Sequence, residues 1–313
     1  MTRPLAITAA LIALALLYVA LGSGLDFGYV IPRRLIKLAA MVTGGIAVAL
    51  ASITFQTLAG NRILTPAVMG YEAVCLMMQA LLVLILGTGS LILWGGQGSI
   101  LITLAAMLAW SFLLHHWLFR RARGDIWFLM LVGIVLTMLI STFTQFIQLR
   151  ISPGEFAVFQ GFAQVSFERV ETTRLIVSAL ALTLVAALIW RRVPVLDVMA
   201  LGRDQAISLG VDHGRETRRL LALIAVLVAI SVSLIGPTAF MGIFVANAAR
   251  AIARGPGHRQ TLPAGAAVAI GLFLLADLAA AQVFDHRTTV GILINLTCGA
   301  WFLLLMLRRR SFA

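Results

Sequence analysis

At 313 residues, with 61% hydrophobic side chains, 12% charged ones and a mean hydropathy of +1.02, the chain is too apolar for a soluble fold. Soluble domains carry about 25% charged and about 45–50% apolar residues, and a core of this size could not hide the surplus. The net charge of +12 sits singly or in short groups between apolar stretches, which excludes a basic nucleic-acid-binding face.

A membrane helix takes about 20 mainly apolar residues. Ten segments qualify, near 5–21, 35–55, 72–87, 99–119, 126–147, 171–190, 218–236, 238–253, 262–282 and 288–307. The first is longer than an ordinary secretory h-region, and Gly22-Ser23-Gly24 makes a poor cleavage site, so it reads as a retained helix. The eighth is broken by small and polar residues and is the weakest on hydropathy. The expected fold class is an all-α membrane protein of about ten transmembrane helices, with residues 1–313 as a single transmembrane domain.

Orientation follows from the Arg and Lys bias, since cytoplasmic loops carry the excess of positive charge. With the N-terminus inside, Arg3, Arg62, Arg120, Arg121, Arg123, Arg191, Arg192, Arg203, Arg215, Arg218, Arg219, Arg250, Arg254, Arg259 and Arg308 to Arg310 face the cytoplasm. These are 17 of the 24 basic residues, which leaves 7 outside, Lys37 being the only lysine. Both termini are therefore expected to be cytoplasmic.

Between the spans, NRILTPAVMG (Asn61 to Gly70) is an inner connection. Its Thr65-Pro66 pair ends one element, and Glu72 falls at the start of the next helix, a favourable place for an acid. The glycines of Gly87 to Ser99 form an external turn and lack the strand-to-helix context of a nucleotide fingerprint. Residues 148–170 are the longest external segment and, with 22–34, should supply most of the outer face. Residues 191–217 are the longest polar inner segment. Apolar residues at Val195, Leu196, Val198, Met199, Leu201, Ile207 and Leu209 suit two short helices joined near Gly202. Helices so short need a surface to pack against, so the segment reads as a docking element.

Few residues offer chemistry. Cys75 and Cys298 stand alone inside spans, without a CxxC partner, and read as buried thiols. His115, His116, His213, His258 and His286 are scattered, and adjacent His115 and His116 point to different helix faces, so no metal site is expected. No GxxxxGK[ST] pattern occurs, so any ATP would be bound by another chain.

Three stretches carry a resemblance: IPRRLIKLAAMVTGGIAVALASITFQTLAGNRILTPAVMG, LGRDQAISLGVD, and GPTAFMGIFVANAAR with the following GHRQTLPAGAAVAIGLFLLADLAA. In order and spacing they resemble the permease family that imports iron-siderophores, haem and vitamin B12. The resemblance implies the type II ABC importer permease fold in the bacterial inner membrane. It further implies a pair of ATPase subunits inside, a periplasmic siderophore-binding protein outside and a second permease alongside. The chain departs from the family in having Arg62 after Asn61 and in having Ala246 and Asn247 where Pro-His is usual. Those variants, with ILTPAVMG, look most like the subgroup serving catecholate or mixed catecholate siderophores, whose members usually pair with a non-identical permease. No catalytic residue and no cofactor are implied on this chain.

By the same resemblance, Leu201, Gly202, Gln205, Ala206, Leu209 and Gly210 seat in the ATPase, the glycines allowing a tight bend. Arg33 matches an arginine that pairs with a carboxylate of the binding protein; Arg287, external in the last loop, is a second candidate for that contact but does not align cleanly with the family's residue. Asn61 and Ile63 match positions that close a cytoplasmic gate, although Asn61 suits a helix cap equally well. Asp277 is an intramembrane acid, read as structural ahead of functional. Small residues such as Gly44 and Gly45 are expected to permit close helix packing. The rival classes are an ion-coupled secondary transporter, which would need more midplane acids than Asp277, and a membrane-embedded enzyme, for which no paired acids or nucleophile dyad are found.

Overall fold

The computed structural model describes residues 2–21, 26–93, 105–110, 112–113, 126–238, 240–253, 255, 257–285 and 287–310. Most of the expected span at 99–119, His115, His116, Arg120, Arg121, Arg123, Arg254, His286 and the turn residues 94–99 lie outside them. The described chain is all-helical, and its helices follow the hydropathy segments. They are α1 (Thr2–Ala20), α2 (Val30–Ala59), α3 (Tyr71–Leu93), α4 (Ile126–Gln148), α5 (Pro153–Phe162) and α6 (Thr172–Arg191). There follow α7 (Val193–Met199), α8 (Arg203–Ser208), α9 (His213–Ile235), α10 (Met241–Ile252), α11 (His258–Gln282) and α12 (Val290–Arg310), with one 3-10 turn at Pro66–Met69.

Five described helical stretches are long and apolar enough to cross a membrane: Val30–Ala59, Leu131–Gln148, Thr172–Arg191, His213–Ile235 and His258–Gln282. Shorter apolar helices cover Ala6–Ala20, Tyr71–Gly87, Met241–Ile252 and Val290–Leu304. In α3 the helix runs past the expected turn to Leu93 but breaks at Gly87, whose φ of 69° and ψ of 173° are not helical. The weak eighth segment is a helix of only 12 residues, about 18 Å long at 1.5 Å per residue. It fills only part of the depth that a helix needs to cross the roughly 30 Å hydrocarbon layer.

The bundle is built around α2. Its 30 residues pack most extensively against α9 and α11, and its middle, from Ala40 to Gln56, is buried almost throughout. Two adjacent glycines make this approach feasible. A Cβ on Gly44 would stand 2.8 Å from Ile235 Cδ1 on α9, and one on Gly45 would stand 3.2 Å from the backbone nitrogen of Ile270 on α11. One glycine therefore serves each neighbour, as small residues do where helices associate by van der Waals contact.

The upper end of the bundle carries the start of α2, and the lower end carries α7 and α8. The segment expected to form the outer face is not all surface. The polypeptide after α5 dips into the bundle, where Val165 and Phe167 are buried and Ser166 N–H donates to the Ile235 carbonyl at the end of α9. Phe167 packs edge-on against Phe273 of α11 at 5.2 Å. Gly236 ends α9 with a φ of 94°, and a Cβ there would meet the Gln164 carbonyl at 2.9 Å. In α5 the Ser152 and Glu155 side chains form a capping box, with Pro153 at the first helical position. Cys75 and Cys298 are buried thiols.

If Gly45 sets the α2–α11 distance, Gly45→Leu should destabilise the protein by about 1–3 kcal/mol, because the backbone of Ile270 cannot yield as a side chain would. Gly299 on α12 has nothing within 4 Å of a built Cβ, so Gly299→Ala should leave the melting midpoint unchanged or raised. Thermal denaturation of the detergent-purified variants checks both.

Candidate functional site

The polar side chains of the described molecule gather at its two ends, and the lower end holds the larger system. The segment expected to hold two brief helices joined near Gly202 forms α7 and α8 there, and their roles differ. Helix α7 is an anchor: Val193, Leu196 and Met199 are buried in the main core cluster. Helix α8 is a presenter: Leu201, Ile207 and Leu209 are 59%, 51% and 62% exposed at its flanks and on its surface. Gly202, with a φ of 106°, turns the chain from one to the other. Gly210, with a φ of 83°, closes α8 in a Schellman arrangement, Val211 N–H donating to the Ala206 carbonyl and Gly210 N–H to that of Ile207. An L side chain is strained at either φ, so both glycines are required by the backbone.

Of the six residues expected to seat a partner, Leu201, Gln205, Leu209 and Gly210 are exposed and Gly202 is half-buried. Ala206 is fully buried against the bundle and supports α8 from beneath. Ile207 takes its place on the exposed side; its apolar character was visible in the sequence, but its face was not.

Two polar networks fix this element to the bundle. Glu216 in the first turn of α9 accepts from Arg192, between α6 and α7, and from Arg219 at 2.6 Å. Asp197 of α7 accepts from the backbone N–H of His258 at 2.8 Å and lies 2.6 Å from His258 Nδ1. Gly257, at the cap position of α11, has no side chain to offer the first helical N–H groups, so the cap comes from α7 across the bundle. His258 Nε2 in turn lies 2.7 Å from Thr57 Oγ1, which donates to the Ile53 carbonyl on α2. A chain of contacts thus runs from α7 through α11 to α2. Sequence reasoning left His258 among the scattered histidines because its partners are 61 and 201 residues away.

The connection after α2 is pinned as firmly. Gly60 ends α2 in the left-handed conformation, so Asn61 is not a helix cap; its Oδ1 accepts from Ile63 N–H at 2.9 Å in a local turn. Ile63 is 38% exposed beside it. Asn247, noted in the sequence only as a departure from Pro-His, donates from Nδ2 to the Arg62 carbonyl at 3.0 Å and ties the turn to α10. Farther along, Trp110 donates to the Met69 carbonyl and Glu72 accepts from Thr238 N–H at the break before α10. Glu72 therefore holds the α9–α10 junction as well as standing at the start of α3.

Between these elements lies a cavity of about 650 Å³, walled by Gln56 and Thr57 of α2, the 60–62 turn, Arg250 of α10, His258 and the Asp197–Leu201 stretch.

At the upper end, Arg33 donates to the Tyr29 hydroxyl at 2.6 Å and lies 3.5 Å from Glu168, which also receives Lys37. Arg34 caps the C-terminal carbonyls of α1, donating to Tyr18 O at 2.9 Å. The Arg33 side chain stays about half exposed and able to meet a partner, whereas Arg34 is engaged in the fold. Arg287 is exposed in the turn between α11 and α12, at the same end. Asp277, near the upper end of α11, accepts from the buried Tyr18 hydroxyl at 2.8 Å and joins α1 to α11. That contact favours the structural reading of this acid over ion coupling.

Comparison with known proteins gives one consistent result. The model of the FecCD transport family matches residues 4–308. The petrobactin import system permease protein YclO of Bacillus subtilis (strain 168) is 31% identical over 306 residues, covering 97% of each chain. The petrobactin import system permease protein FatC of Bacillus anthracis is 29% identical over 282 residues, covering 90% of this chain and 80% of that one. Among solved structures, an inward-facing conformation of a metal-chelate type ABC transporter superposes with a TM-score of 0.84, covering 97% of this chain and 99% of that one. At 19% identity that superposition shows a shared fold.

Glu216 gives the lower network a measurable signature. Burial raises its pKa, but the hydrogen bonds and charges of Arg192 and Arg219 outweigh it and hold the carboxyl below its ordinary value. A depressed carboxyl stabilises the fold above its unfolded value, about 4.3, and loses that contribution as pH falls through the folded value. The melting midpoint of the wild type should therefore drop between neutral pH and pH ~4 and below, and Glu216→Gln should be less stable at neutral pH with a flatter acid limb. Melting curves of both proteins across that range check the sign.

Proposed function

The chain belongs to the FecCD transport family, and on that premise we propose that it is the permease subunit of an ATP-driven importer carrying a ferric siderophore across the bacterial inner membrane. It is a transport component and not an enzyme; hydrolysis belongs to a separate ATPase subunit. The cargo is a siderophore of the catecholate-bearing kind, a reading supported by the similarity to two petrobactin permeases. The lower end faces the cytoplasm, both termini lie there, and the chain crosses the membrane ten times. A periplasmic binding protein docks at the upper end on Arg33 and Arg287, and a second, non-identical permease stands alongside.

The observation that carries this reading is the construction of α7 and α8. A transporter driven by another chain needs a rigid contact whose position differs between pore states, since a partner can shift an equilibrium only by binding its states differently. Helix α8 offers exposed Leu201, Ile207 and Leu209, held by two left-handed glycines on an anchored base. The base passes displacement onward through Asp197 and His258 to α11 and α2. The Asn61–Ile63 turn, tied to α10 by Asn247, stands beside that path as the inner gate.

Purified in mild detergent with its genomic neighbours co-expressed, the tagged chain should retain an ATPase in stoichiometric amount. Leu209→Asp, which places a charge on the exposed rim without touching the core, should release it while the permease itself stays folded. Mass spectrometry of the co-eluting proteins, with size-exclusion profiles for both variants, decides the matter. Elution of the wild-type chain alone, under conditions that keep other ABC complexes whole, rules the reading out.

A further inference from the structure

Among the described residues, the lower cavity brings two arginines together in one concave space without a carboxylate between them. Several cations near the bundle are provided for: Arg192 and Arg219 share Glu216, Arg33 and Lys37 share Glu168, Arg174 lies 3.5 Å from Glu171, and Arg34 caps α1. Arg62 and Arg250 both line the cavity, and among the described residues no carboxylate lies within ion-pair distance of either. The charge that acts most on Arg250 besides its own burial is Arg62, a second cation. Arg250 is partly buried and Arg62 exposed at the rim, so the two like charges repel each other across the cavity and an anion between them would relieve both.

A neutral donor in the wall points the same way. Arg250 donates to Gln56 Oε1 at 2.7 Å, which fixes the orientation of that amide and leaves Nε2 without a partner. Gln56 is 2% exposed and lines the cavity, so its N–H groups lack water as well as protein acceptors. The one acid in the wall, Asp197, is already engaged at Oδ1 by the backbone and ring of His258. The N-terminus of the 25-residue α11 adds its positive end to the same wall. At about 650 Å³ the space suits a small molecule and is far larger than a single phosphate requires.

We propose that this cavity binds the anionic oxygen groups of a metal chelate, held by the Arg62 and Arg250 guanidinium groups and the Gln56 amide. Naming the anion as cargo rests on the importer reading; the anion site itself rests on the geometry. A ferric catecholate complex carries net negative charge on an outer shell of oxygens, the acceptors that a pair of guanidiniums and an amide recognise. The cavity lies beside the Asn61–Ile63 turn and the Asp197–Leu201 stretch, so a chelate held there would touch the inner turn and the coupling element together. A neutral or cationic cargo would find no compensation in it.

The experiment is isothermal titration of the purified protein in neutral-lipid nanodiscs with a ferric tricatecholate chelate, repeated with inorganic phosphate and in phosphatidylglycerol nanodiscs. The chelate should bind the wild type, and Arg62→Gln and Arg250→Gln should each weaken it about tenfold, the loss of one charge-assisted contact. Arg250→Lys should keep more affinity than Arg250→Gln, and raised salt should weaken binding throughout. Arg62 is exposed on a turn, so its variant tests the site even if an Arg250 variant folds poorly. Absence of chelate binding, or equal affinity in the wild type and Arg62→Gln, overturns the proposal. So does a response to the substitutions seen only with phosphate or only in phosphatidylglycerol, which would make the occupant a free anion or a lipid headgroup. Retention of the ATPase is scored in the same preparations. Arginine-dependent chelate binding without an ATPase would sink the importer reading and leave the site standing; a bound ATPase with unchanged chelate affinity would do the reverse.

Discussion

The closest constraint in this molecule is the contact that α2 makes with α9 and α11 through two consecutive glycines. In lipid, helices gain little from hiding apolar surface from one another, because the solvent is as apolar as they are. What holds them is close packing and the satisfaction of polar groups, and both need short interaxial distances. Gly44 and Gly45 supply those distances toward Ile235 and Ile270. Every polar contact between the lower ends of these helices depends on that spacing. Thr57 on α2 could not reach His258 on α11, nor Gln56 reach Arg250 on α10, if the middle of α2 were held away.

The lower networks then act as cross-links of known direction. A six-residue helix such as α8 has no stability of its own in water. It exists because Ala206 is buried beneath it, Gly210 closes it, and α7 is locked by Asp197 and Arg192 to two longer helices. A half-satisfied buried network is worse than an apolar one, and here Glu216 receives two guanidiniums while Asp197 receives two N–H donors from one residue. Such an element is cross-linked to the ends of α9 and α11, the rigidity that the proposed contact with an ATPase would need.

How far the sequence revealed this depended on the range of the interaction. Hydropathy located the helices because lipid demands long apolar runs, and the separate helices on either side of Gly202 followed from short apolar repeats flanking a glycine. The faces of those helices were not legible, since six residues are too few turns to define one, and Ala206 and Ile207 exchanged roles for that reason. Val165 and Phe167 were assigned to the outer face because they sit in a polar stretch, yet they fill space at the end of α9 and beside α11. The Asp197–His258–Thr57 chain was invisible because each link joins residues far apart in sequence and none belongs to a spacing motif. Asn247 did carry a signal, as a polar residue in the place of a usual Pro-His, but nothing in the sequence showed that it would hold the Arg62 carbonyl.

The placement of charge follows from the same economy of polar groups. A bundle that positions a carboxylate for Arg192, Arg219, Arg33 and Lys37 has the means to position one for Arg250, whose guanidinium is partly buried beside Gln56. Asp197 stands in the same wall, yet its carboxylate is turned to the cap of α11 and the His258 ring. Spending that acid on the helix cap fixes α7 and at the same time leaves the arginine pair without a counter-charge. One residue thus links the anchoring of α7 to the positive character of the cavity it lines. A fixed α7 and an electropositive cavity are two consequences of a single hydrogen-bonding choice, and a change at Asp197 would disturb both together.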